Sequence, residues 1–181
     1  MKKMKLFYGI LIGFMILSSC SSDDSDNTNV TNGFTVNGTF YETNFAKANS
    51  GNPYHLILSN PLNHNVEEGQ FGSFYIRSGA QGDFIPLTEG TYSTSNGPNN
   101  VFGVDGYHPI HFQDNSEEEN FAYSGYWHQD DNFQSGRVTV NSVTSESDGV
   151  NNQITEIDVD YEFKWNGITI IGNYSGTVEP N

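Results

Sequence analysis

The segment 154–165, ITEIDVDYEFKW, alternates apolar and charged residues without a break from Ile157 to Trp165. Ile157, Val159, Tyr161, Phe163 and Trp165 take one parity. Glu156, Asp158, Asp160, Glu162 and Lys164 take the other. A period of two is the signature of a strand with one buried and one wet face. Asn166-Gly167 follows directly, the dipeptide of a two-residue type I′ turn, in which both positions need positive φ. Turn and pattern together predict the pairing: Trp165 faces Ile168, Phe163 faces Ile170, Tyr161 faces Gly172, Val159 faces Tyr174 and Ile157 faces Gly176. Each apolar residue meets an apolar residue or a glycine, and a large ring can lie across a glycine opposite it.

The rest of the chain from Gly33 onward shows no sustained helical period. Short runs rich in Phe, Tyr, Val, Ile and Thr alternate with Asn/Gly punctuation: FTV (34–36), TFYETNF (39–45), YHLILS (54–59), FGSFYIRS (71–78), GTYST after Gly90, IHF (110–112), FAYSGYWH (121–128) and RVTVNSVT (137–144). Asn37-Gly38 reads as a second tight turn, Leu87–Tyr92 as a turn entering a strand, and 146–153 as a loop before the last hairpin. This spacing predicts an all-β domain over 33–181, an antiparallel β-sandwich of about eight to ten short strands, or alternatively an up-and-down, calycin-like β-barrel. A segment of that length is enough for one core.

The amino terminus has a different character. Met1–Lys5 is basic, and residues 6–17, LFYGILIGFMIL, are an unbroken apolar run. As a helix, that run would span about 18 Å, short of the ~30 Å hydrocarbon core. It therefore reads as the h-region of a signal peptide over residues 1–19. Leu17-Ser18-Ser19-Cys20 resembles a bacterial lipobox, which implies a diacylglyceryl, palmitate-type modification on Cys20 and cleavage just before it. Cys20 is the only cysteine, so it has no disulfide partner within the chain. Residues 20–32 form a polar, acidic tether with too few apolar groups to order itself. Ser22-Asp23-Asp24 is similar to the export signal of surface-displayed lipoproteins of Bacteroidota. FTVNGTFY, LTEGTYS and ITIIGNYSGTV likewise resemble β-domains of lipoproteins of that group. The resemblance implies an outer-membrane, cell-surface location and the fold. It carries over no catalytic residues.

After the leader only Lys47, Arg77, Arg137 and Lys164 are basic, against 22 acids, a formal charge of −18. Phosphate backbones need clustered cations, so nucleic acid is not an expected partner. Membrane attachment is expected through the lipid rather than through the protein surface.

No motif for catalysis stands out. Gly172-Asn173-Tyr174-Ser175-Gly176 has the wrong spacing for a nucleophile elbow, and Cys20 is taken by the lipid. His108-Pro109-Ile110-His111 invites a metal, but an extended segment points residues three apart to opposite faces. The pair reads as two polar histidines. The ladder Glu156, Asp158, Asp160, Glu162 has neighbours about 7 Å apart. It reads as a charged outer face that keeps the hairpin soluble. No catalytic residue, metal site or cofactor is expected.

The segment from Asp105 to Asp131 is the least regular, with three histidines, Tyr126 and Trp127. Phe121, Tyr123 and Trp127 share the parity of a core face, and Tyr126 and His128 take the other. Aromatic plates beside polar groups suit sugar rings. Tyr126 and His128, supported by Asp130 and His108, are therefore the expected ligand-binding residues. The reading is a non-catalytic surface lipoprotein, a binding or accessory module for a glycan or another envelope component. The alternatives are metal or haem capture by His108, His111, His128 and nearby tyrosines, and a hydrolase of unknown type. The lipobox makes one firm prediction. Replacing Cys20 with Ser abolishes incorporation of radiolabelled fatty acid, and label retained by the mutant would refute the lipidation site.

Overall fold

The structure is a computed structural model. It describes residues 31–60, 69–80, 85–96, 102–115, 121–125, 129–147 and 151–181. The described residues form an all-β fold, one curled sheet resembling half a barrel. In chain order the strands are β1 (Gly33–Val36), β2 (Thr39–Glu42), β3 (Phe45–Ala48), β4 (Tyr54–Asn60), β5 (Gln70–Arg77), β6 (Gly90–Ser93), β7 (Gly103–Val104), β8 (Ile110–Asp114), β9 (Phe121–Gly125), β10 (Phe133–Ser147), β11 (Asn152–Trp165) and β12 (Ile168–Pro180). The main path through the sheet runs β6-β10-β11-β12-β3-β4-β5-β8-β9.

The β11–β12 hairpin has the register that its turn dictates. Trp165 pairs with Ile168, Tyr161 with Gly172 and Ile157 with Gly176. Asn166 and Gly167 have φ of 45° and 80°, the left-handed values that a type I′ turn requires. Asn37 and Gly38 turn β1 into β2 in the same way, with φ of 51° and 87°.

β12 is the spine of the sheet. One edge pairs with β11. The other pairs first with β1, through Ile170–Asn173, and then with β3, through Val178–Pro180. The β3–β12 contact is parallel, a departure from the purely antiparallel expectation. It also explains why TFYETNF is two strands rather than one. Thr39–Glu42 pairs with β1, and the chain must then leave that ladder to reach the end of β12. The break falls at Thr43, which is fully buried and whose N–H is held by the Asn32 carbonyl at 3.1 Å.

Twelve strands exceed the expected eight to ten because of this split and because β7, two residues long, has no readable period. The strand predicted at 91–95 ends at Ser93, and Thr94–Asn96 is a turn of 3₁₀ helix. The predicted loop 146–153 is shorter than expected, since β10 and β11 pair out to Ser147 and Asn152. That arm is exposed on both faces around Glu146, so its polar sequence hides the strand period.

The sheet curls until its two wings face one another across an aromatic core. Tyr161 and Phe163 of β11 meet Phe74 of β5 at ring-centroid distances of 5.1 and 5.4 Å, and Phe112 of β8 at 5.8 and 5.4 Å. Phe34 of β1 closes one end against Phe112 and Phe121. Trp165 closes another region, lying over Gly125 of β9. Phe121 and Tyr123 pack against this core, as their parity predicted.

Gly167 and Gly172 should fail for different reasons. Nothing lies within 4 Å of the position a Cβ would take at Gly167. Gly167→Val therefore costs only the strain of positive φ, on the order of 1–3 kcal/mol. Gly172→Ala drives its methyl to 2.5 Å from the Gly33 carbonyl oxygen and the Tyr161 hydroxyl, so it should also loosen β1 from β12. Denaturant unfolding with hydrogen exchange of β1 amides distinguishes the two. Equal exchange in both variants would refute the distinction.

Candidate functional site

The strand alternation that buries Tyr54, Leu56, Phe74 and Ile76 turns His55 of β4 and Tyr75 of β5 to the opposite, outer face. These two are directly paired across the ladder. Their rings stack at 4.0 Å with planes 5° apart. His108 stacks on Tyr75 at 4.4 Å with an interplanar angle of 23°. The result is a row of three rings, imidazole, phenol and imidazole, drawn from two strands and one loop.

Asp105 positions that loop. Its N–H donates to the Tyr75 carbonyl at 2.9 Å, extending the attachment of β7 to β5. Its side chain is fully buried. Oδ2 accepts from Arg77 Nε at 3.1 Å and Nη2 at 2.5 Å, and Oδ1 accepts the Tyr107 N–H at 2.7 Å. A buried ion pair of this kind is strongly destabilising when one partner is removed, because the other charge is left uncompensated. His108 Nδ1 lies 3.4 Å from Asp105 Oδ2 but makes no hydrogen bond. Phe102 and Tyr107, either side of Asp105 in sequence, are 47% and 46% exposed, so aromatic surface flanks the polar cluster.

His55 Nε2, His108 Nδ1 and His111 Nε2 are buried atoms without a hydrogen-bond partner. Burial, and secondarily the neighbouring His108, pushes the His55 imidazole down from 6.5 to about 4. Burial also lowers His111, with Gln113 acting in the opposite direction. Burial thus favours the neutral ring at His55 and at His111.

Of the four expected binding residues, His108 and Asp130 are described. Tyr126 and His128 lie outside the described residues, as does Trp127. Asp130 closes a turn: its Oδ1 accepts the Asn132 N–H at 2.9 Å and its carbonyl accepts the Phe133 N–H at 3.0 Å. His108 joins a cluster through Tyr75 of β5, on which His55 of β4 also stacks. His111 sits apart, its ring edge-on to Phe71 at 5.5 Å. Two clefts of about 270 Å³ bounded by described residues lie elsewhere, one at Ser50, Glu146 and Gln153, the other at Ser93, Ser135 and Arg137.

Sequence reasoning missed His55, Tyr75, Arg77 and Asp105. Their parity was readable, but the β4–β5 register was not, because no two-residue turn joins those strands. The acid ladder is an outer face, as expected. Asn141 bridges Asp158 and Asp160 at 2.9 and 2.8 Å, and Arg137 and Lys164 take Glu162. Among the described residues no three His, Cys, Asp or Glu side chains are placed to hold a metal ion. His55 and His108 lie on opposite faces of Tyr75. Comparison with protein-family models, with curated proteins and with solved structures finds no significant match.

The depressed His55 value sets a pH dependence. The unfolded chain binds this proton near pH 6.5 and the folded chain only near pH 4. The stability associated with neutral His55 is thus complete above pH 6.5 and is lost as pH falls towards 4. The loss is on the order of 1–3 kcal/mol. His55→Phe keeps a ring against Tyr75 and flattens that part of the profile, while His111 retains its own share. An unchanged slope in urea unfolding between pH 6.5 and 4 would exclude His55 as a source.

Proposed function

We propose that this chain is a non-catalytic, lipid-anchored surface module that binds a glycan of the cell envelope or its surroundings. The observation that carries the reading is the surface around Asp105. Half-exposed Phe102 and Tyr107 lie on the segment that carries His108 onto the Tyr75–His55 stack. A sugar presents apolar ring faces and a rim of hydroxyls. Exposed aromatic carbon suits the first, and the part-exposed imidazole of His108 suits the second.

The stacking geometry refines which groups act. Tyr75 is covered on both faces by imidazoles, so it cannot serve as a plate for a pyranose. Tyr107 and Phe102 offer the apolar contact, and the outer edges of His55 and His108 offer the polar one. The buried Arg77–Asp105 pair holds the loop rather than the ligand. The anchor reading rests on Leu17–Cys20 and the acidic tether, and it would place this face outside the cell.

A glycan array probed with the intact protein tests the proposal. Binders are expected, and Tyr107→Ala should weaken them about tenfold, the loss of one good aromatic contact. Its melting temperature should change little, as for other exposed side chains. An array without binders, or binding indifferent to Tyr107→Ala and His108→Ala, would refute it.

A further inference from the structure

A second site lies on the other wing of the sheet. β6 pairs with β10 only from Gly90↔Val140 to Ser93↔Arg137, and the chain then turns into the 3₁₀ segment at Thr94. β10 continues past the end of β6. The Thr94 hydroxyl fastens the step, accepting the Gly136 N–H at 3.0 Å and donating to the Gly136 carbonyl at 3.4 Å. The step leaves a cleft of about 270 Å³. Its walls carry the hydroxyls of Ser93, Thr94, Ser95 and Ser135, and Arg137 and Glu162 stand at one side.

The charge here is unusual for this chain. Of its four basic side chains beyond the leader, two converge on Glu162. Arg137 Nη2 takes Oε2 at 3.2 Å and Lys164 Nζ takes Oε1 at 2.9 Å. Both carboxylate oxygens are engaged, and the two cations, Lys164 first, hold Glu162 below its ordinary value. Asp160 on the same face offsets the second cation. The Arg137 side chain is 61% exposed, and among the described residues its remaining guanidinium donors make no further bond. Asp160, the next acid on this face, is taken by Asn141.

We propose that this cleft recognises a sugar bearing a single carboxylate, with the carboxylate on the free edge of Arg137 and the sugar hydroxyls among the serines. A guanidinium matches a carboxylate in a two-point fork. A carboxylate brings one negative charge to a segment that carries −18 beyond the leader, whereas a dianion such as sulfate brings two and meets more repulsion. The Ser135 hydroxyl and the remaining bonding capacity of the mutually bonded Ser93 and Ser95 hydroxyls suit a sugar's hydroxyls, and the mostly apolar lining suits its ring face.

The test is titration of the intact protein with D-glucuronate, D-glucose or sodium sulfate, followed by amide NMR. D-glucuronate is expected to shift the amides of Ser135, Gly136 and Arg137 saturably, with D-glucose and sulfate much weaker. Arg137→Gln should weaken glucuronate binding about tenfold or more, the loss of a charge-assisted pair. Arg137→Lys, which keeps charge without the fork, should fall between. Tyr107→Ala should leave the response unchanged, so this site and the Asp105 surface fail separately. No saturable response to glucuronate, an equal response to D-glucose, or undiminished binding by Arg137→Gln overturns the proposal. An equal response to sulfate would reveal a general anion patch and overturn the sugar assignment.

Discussion

Core aromatic rings seated on glycines, three on the neighbouring strand and one across the core, determine how this sheet closes. Tyr161 lies on Gly172, Phe163 on Gly136, Phe112 on Gly72 and Trp165 on Gly125, each where a Cβ would come within 3 Å of the ring. A ring lying flat across the ladder takes less height than one standing on it. The two wings can then approach until Phe74 and Phe112 meet Tyr161 and Phe163. Such pairs contribute about 0.5–1.5 kcal/mol each beyond the apolar area they bury. With a single cysteine in the chain, no internal disulfide supplements this core.

The same seating fixes β1. Tyr161 donates to the Gly33 carbonyl at 3.2 Å inside the core, and Gly172 lets that carbonyl approach β12. β1 then brings Phe34 and, through its hairpin, Tyr41 onto Phe121. Thus β9, at the far end of the strand order, is held by contacts that begin at β11 and β12. The functional surfaces are the outer consequence. Once the inner face is committed to aromatic packing, alternation sends His55, Tyr75 and His111 outward on one wing, and Arg137, Glu162 and Lys164 outward on the other.

The segment expected to bind, Asp105 to Asp131, is described at Asp105, His108 and Asp130 but not at Tyr126 or His128. His108 and Asp105 do stand in a candidate surface, but their partners come from residues some thirty to fifty positions earlier. Asp130 serves its own turn, bonding Asn132 and leaving its carbonyl to Phe133. The reason is the range of the forces involved. An Asx-type turn is closed by atoms a few bonds apart, so its residue can be picked out locally. A ring stack across two strands depends on which residue of β5 faces His55, and the connection between those strands leaves several registers open.

Local sequence determined the strand periods, both Asn-Gly turns and the complete β11–β12 register, because a two-residue turn permits one alignment and every ring then meets its partner. Only the tertiary structure decided the parallel contact of β3 with β12, the division of residues 39–45 between two ladders, and the clusters around Tyr75 and Arg137. Those features require segments far apart in sequence to compete for the same strand edge or the same outer face. Which segment wins depends on the packing of the whole core, not on the preference of any one stretch.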